Sequence, residues 1–195
     1  MKEAFMRRMA FAGGALYVAV SPAAYAHTGL GEGALAGILH PLLGWDHVLA
    51  MLAVGAWSSM LVHRARWLVP AVFAAVLVLA AQFSVNGIHL PLLEAGIAAS
   101  LLLAGLLVGA RAHVGTAAAA VVVGMFAVVH GLTHAAEMPA LASPWPFTFG
   151  LSLSTLGLQA AGMAFGYALA PTRAGMPVAG AVLLSSGGYG MAALL

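Results

Sequence analysis

Apolar stretches long enough to cross a bilayer recur along this chain, separated only by short polar connections. The hydrocarbon core of a membrane takes roughly 20 residues of helix, and in lipid only helices and closed barrels satisfy their own backbone. The runs here are continuous rather than alternating, which excludes a barrel. Composition agrees, with 63% hydrophobic and 6% charged residues and a mean hydropathy of +1.04; a soluble domain carries roughly 25% charged residues. The fold class that follows is all-α, a polytopic membrane helical bundle. Cysteine is absent, so disulfides, thiolate metal sites and cysteine nucleophiles are excluded. The net charge of +2 comes from a few arginines in connections and predicts no nucleic-acid partner.

The first residues read differently from the rest. MKEAFMRR is a positively charged start, MAFAGGALYVAV a short apolar stretch, and Ala24-Tyr25-Ala26 an A-x-A cleavage site. That pattern predicts a signal peptide over 1–26 and a transmembrane domain over 27–195. An uncleaved signal anchor would add one helix without changing the topology that follows. Hydropathy places six spans at 33–62 (with a break near Pro41), 67–86, 90–110, 114–137, 147–170 and 175–195. Pro and Gly stand where helices should stop. Arg64, Arg66, Arg111 and Arg173 all fall in the first, third and fifth connections, at 63–66, 111–113 and 171–173. The positive-inside rule makes those connections cytoplasmic, and both mature termini then face the periplasm of a bacterial inner membrane. Gly105-x-x-x-Gly109 and Gly162-x-x-x-Gly166 predict tight helix packing. Membrane lipid is the expected surrounding, and a homo-oligomer stays open.

Within this apolar frame, residues 40–47 read HPLLGWDH and residues 128–137 read VVHGLTHAAE. The topology brings His40, Asp46 and His47 of the first span, and His130, His134 and Glu137 of the fourth, into one outer layer. Asp46 and His130 each lie about 10 Å inside their helix ends at 1.5 Å per residue. His130, His134 and Glu137 share one helix stripe, and His40 and His47 are seven residues apart. Asp46 either joins the site or orients an imidazole beside it.

An Asp at a helix centre costs about 2.5–3.5 kcal/mol on insertion, so repeated ionisable groups in one layer must pair, be hydrated or bind an ion. Imidazole with carboxylate makes an N/O donor set suited to Ni, Co, Zn or Fe. His63 and His113 read as interfacial residues, and Met51, Met125 and Met138 as packing or lipid-facing ones. His89 and Glu94 are evenly balanced between site and surface, Trp45 is a candidate wall of the site, and His27 offers an external first contact for a metal. The hydroxyls of Ser152, Ser154, Ser185 and Ser186 are candidates for lining an inner path.

At these residues the sequence resembles the HupE/UreJ family of hydrogenase and urease accessory permeases. The first family signature, H-P-x-x-G-x-D-H-x-x-A-M, is met at every fixed position from His40 to Met51. The second, F-H-G-x-A-H-G-x-E, keeps His130, Gly131, His134 and Glu137 and departs at Val129, Thr133 and Ala135. The resemblance spans nearly the whole chain. It implies uptake of nickel, in some members cobalt, with His40, Asp46, His47, His130, His134 and Glu137 as functional residues. The expectation is a secondary permease carrying a divalent metal from periplasm to cytoplasm, with no enzyme activity and no resident cofactor. The alternative is an intramembrane metalloenzyme using the same cluster.

Overall fold

A computed structural model describes residues 33–85 and 92–194. Among them every regular element is helical: α1 (Ala34–Leu39), a 3₁₀ turn (His40–Leu42), α2 (Trp45–Ser59), α3 (His63–Val85), α4 (Leu93–Gly109), α5 (Thr116–Ala136), α6 (Pro144–Leu169) and α7 (Gly175–Ala192). The expected signal peptide at 1–26, His27 and the 86–89 turn with His89 lie outside the described residues. His63–Phe83 and Thr116–Ala136 are each long and apolar enough to cross a membrane, and α1 with α2 is a third candidate if the pair forms one span. α4 has 17 residues, about 26 Å of helix, just short of a full crossing. Thr148, Ser152, Ser154, Thr155 and Gln159 dilute the apolar character of α6.

The expected break in the first span is a sharp corner. α1 and α2 meet at 92°, with Pro41 in the first turn of the 3₁₀ element and Gly44 extended before α2. Pro fits there because an N–H at a helix start has no intrahelical partner to lose. Two boundaries differ from the sequence expectation. His63-Arg64-Ala65-Arg66, read as a connection, forms the first turn of α3. Ala65, Val69, Phe73, Leu77 and Ala81 are all fully buried at four-residue spacing, so packing carries the helix down past its most apolar stretch. Likewise α6 begins at Pro144, inside the stretch read as loop, with Pro at its first position and Phe147 fully buried.

Helices approach where side chains vanish. A Cβ on Gly105 would stand 2.9 Å from the Gly180 carbonyl oxygen of α7, and one on Gly162 would stand 2.1 Å from the Leu52 oxygen of α2. Both small-residue pairs therefore serve packing within the chain, as their spacing predicts, and lipid offers no other strong force to bring helices together. The close backbone neighbours of α2 are α6, α4 and α3, and those of α5 are α3 and α4. α2 and α6 run in the same direction, since Leu52 meets Gly162 and Ser59 meets Gly166.

The arginine-bearing connections gather at one end of the bundle. Arg66 lies over the Tyr167 ring at 5.3 Å. Arg111, in the left-handed region at φ 50°, donates to the carbonyls of Ala170 and Thr172. Trp57 Nε1 donates to the Ala112 carbonyl at 2.9 Å. His40 and Glu137 meet near the opposite helix ends. The grouping that the positive-inside rule requires is therefore present.

Candidate metal site

The α1–α2 corner and the last two turns of α5 bring the two motifs together. His40 Nε2 lies 3.3 Å from Glu137 Oε2. The His40 ring meets His134 with centroids 5.1 Å apart and Phe147 at 5.3 Å. The His47 ring lies 4.3 Å from that of His134 and 5.5 Å from that of His130. Phe73 of α3 closes the far side of His130 at 5.9 Å. The convergence expected from topology and helix spacing is found.

One donor atom each from His40, His134 and Glu137 falls within 4.8 Å of the others. Two ligands about 2.1 Å from one ion stand roughly 3 Å apart when adjacent and about 4.2 Å when opposite, so small rotations would close this set around a cation. Exposure falls from the carboxylate of Glu137 to the imidazoles of His134 and His130. Glu137 is 51% and His40 15% exposed in their side chains, while His134 is 1% and His130 0% exposed.

Hydrogen bonds fix which nitrogens face inward. His130 Nδ1 lies 2.9 Å from the Phe126 carbonyl; a carbonyl only accepts, so Nδ1 carries the hydrogen and Nε2 keeps its lone pair. Asp46 Oδ1 accepts from the His47 backbone N–H at 2.8 Å and from Nδ1 at 2.9 Å, leaving His47 Nε2 bare. Both Nε2 atoms are buried without a hydrogen-bond partner, as are both ring nitrogens of His134. A buried nitrogen without a partner forfeits its hydration, about 1–3 kcal/mol each. Four such atoms lie in this one cluster. The Asp46 carboxylate bonds to His47, the contact that an orienting role would use. Gly44 leaves room for this pair, because a Cβ there would stand 2.7 Å from His47 Nδ1 and 2.8 Å from Asp46 Oδ1.

Other candidates fall elsewhere. Trp45 is half exposed and faces Tyr189, with ring centroids 6.2 Å apart, and lines an open hollow with Ser185 and Ser186. It does not wall the imidazoles, because α2 turns its His47 face inward and its Trp45 face toward α7. Glu94 is exposed and borders a second hollow with Leu92, Leu93, Ala95 and Leu194. His63 and His113 are exposed at the arginine end, and Met51 is fully buried core. Ser152 Oγ donates to the Thr148 carbonyl. The buried hydroxyl and amide that lack partners are instead those of Thr155 and Gln159, which a search for serines and ionisable residues passes over. A glutamine inside an apolar helix was the signal for them.

Comparisons with known proteins agree with the motifs. The model of the family described as "HupE / UreJ protein" matches residues 15–190. Protein HupE of Rhizobium leguminosarum bv. viciae is 39% identical over 157 residues, covering 77% of this chain and 82% of that protein. No solved structure matches. With a family match over most of its length and a relative aligned along most of both chains, this protein belongs to the HupE/UreJ family.

Proposed function

We propose that the chain is a secondary permease that takes up a divalent transition-metal ion, Ni²⁺ first and Co²⁺ second, from periplasm to cytoplasm across a bacterial inner membrane. In this reading residues 1–26 are removed as a signal peptide, six helical passes follow, and both mature termini face the periplasm. A hydrated ion meets the half-exposed Glu137, exchanges water for His40 and His134, and passes to the buried Nε2 atoms of His47 and His130. Asp46 and Glu137 offset its charge. The ion is the cargo, and release requires that no single stop hold a complete ligand shell.

One observation carries the reading. The unpartnered imidazole nitrogens continue from a half-exposed carboxylate to a fully buried histidine. The N/O donor set suits borderline divalent metals. A metalloenzyme using the same cluster is the alternative, and membership of the HupE/UreJ family favours transport.

The test is uptake of radiolabelled Ni²⁺ into liposomes holding the purified chain. Accumulation above protein-free liposomes is expected, with loss in His134→Ala. Absence of uptake by the unaltered chain defeats the permease reading. Wild-type uptake in His134→Ala defeats the ligand assignment.

A further inference from the structure

Thr155 and Gln159 are buried polar side chains that the imidazole cluster does not use. Thr155 is 0% and Gln159 1% exposed. The hydroxyl oxygen of the first and both amide atoms of the second have no hydrogen-bond partner. Polar groups inside a membrane bundle ordinarily bond across helices, and these do not.

Their place along the bundle follows from helix register. Thr155 is seven residues before Gly162, and Gln159 seven before Gly166, so each shares a face with its glycine. Those glycines meet Leu52 and the Ala56–Ser59 turn of α2. The Gln159 carbonyl oxygen would lie 2.0 Å from a Cβ on Gly55. Because α2 and α6 run in parallel, Thr155 lies level with the His47–Met51 turn and Gln159 about 6 Å further toward the arginine end. The same α6 stripe starts at Phe147, whose ring touches His40.

We propose that Thr155 and Gln159 form an oxygen-donor station that receives the partly hydrated divalent ion from His47 and His130 and passes it toward the arginine end. This rests on the permease reading above. A hydroxyl and a carboxamide oxygen are neutral, hard donors that hold a borderline metal less firmly than imidazole. They suit an ion that keeps some of its water, which can bond both to the amide and to the hydroxyl. Weak donors beyond strong ones lower the affinity along the path, so that the ion can leave.

Thr155→Val and Gln159→Leu remove the donors and leave apolar side chains of similar size in their place. The full chain, with Ni²⁺ alone as probe, is measured for equilibrium affinity in detergent, for uptake in liposomes and for melting temperature. The expected result is affinity within about twofold of wild type and a maximal uptake rate lowered about tenfold or more. Melting temperature should hold or rise, because unpaired groups have been removed. Wild-type uptake in both variants overturns the inference and leaves the permease reading standing. So does a loss of uptake matched by a loss of affinity or melting temperature, which would make the pair part of the first site or of the packing. Failure of the unaltered chain to take up Ni²⁺ is the separate result that removes the reading beneath it.

Discussion

His134 sits between His40 and His47, with ring centroids 5.1 Å from the first and 4.3 Å from the second. It is thus the contact between the more exposed half of the cluster, His40 with Glu137, and the buried half, His47 with His130. Both of its ring nitrogens lack partners, so its side chain contributes little hydrogen bonding to the fold.

Replacing His134 should therefore separate function from stability. His134→Leu fills the same space and is expected to abolish Ni²⁺ uptake while leaving the melting temperature near that of wild type. A protein that unfolds instead would show that the ring is a packing residue.

Asp46 Oδ1 accepts from His47 Nδ1 at 2.9 Å. Its loss in Asp46→Asn should weaken Ni²⁺ affinity about 10–100-fold, the range seen when a partner behind a ligating histidine is removed. Isothermal titration of the detergent-solubilised protein checks this, and unchanged affinity would show that the carboxylate does not tune the imidazole.

Glu137 is the outermost acid of the set, and its carboxylate pairs with His40. Glu137→Gln keeps shape and removes charge, so uptake at low Ni²⁺ should fall by about fivefold or more while saturating uptake changes less. A drop confined to the saturating rate contradicts a role in capture.

Selectivity should follow the donors. Imidazole and carboxylate bind several borderline divalent ions, so excess Co²⁺ or Zn²⁺ should suppress labelled Ni²⁺ uptake while Mg²⁺ does not. Uptake indifferent to all three would mean that the ligands lie elsewhere.

The glycine contacts give a structural test. Gly162→Ala places a methyl group 2.1 Å from the Leu52 oxygen, whereas Gly157 has nothing within 4 Å. The first substitution should destabilise by about 1–3 kcal/mol, read as a lower melting temperature, and Gly157→Ala should not.

Much of this arrangement was legible in the sequence because lipid imposes strict rules. Continuous apolar runs gave helices, Pro41 and Gly44 gave the corner, and the spacing of His130, His134 and Glu137 gave a single face. Arginine placement gave the grouping of connections that Arg66, Arg111 and Trp57 confirm by contact. Helix starts were harder. α3 and α6 begin earlier than hydropathy indicates because Ala65 and Phe147 are held by tertiary packing, which a window average does not sense. Trp45, a candidate wall of the site in the sequence, instead faces Tyr189, because successive helix residues point about 100° apart. Gln159 stands out in the sequence as an amide inside an apolar run, but only the fold shows that it and Thr155 are buried without partners.

α2 and α5 each take their backbone neighbours from other helices, and the imidazoles reach across what separates them. Glycine-to-backbone contacts clasp α2 to α6, α4 to α7 and α5 to α3. The chain thus divides its labour: one set of residues fastens the scaffold, and another is suspended along an unfastened seam. Under the proposed reading, damage to the seam silences the protein without dismantling it, whereas damage to the clasps takes the fold and the function together.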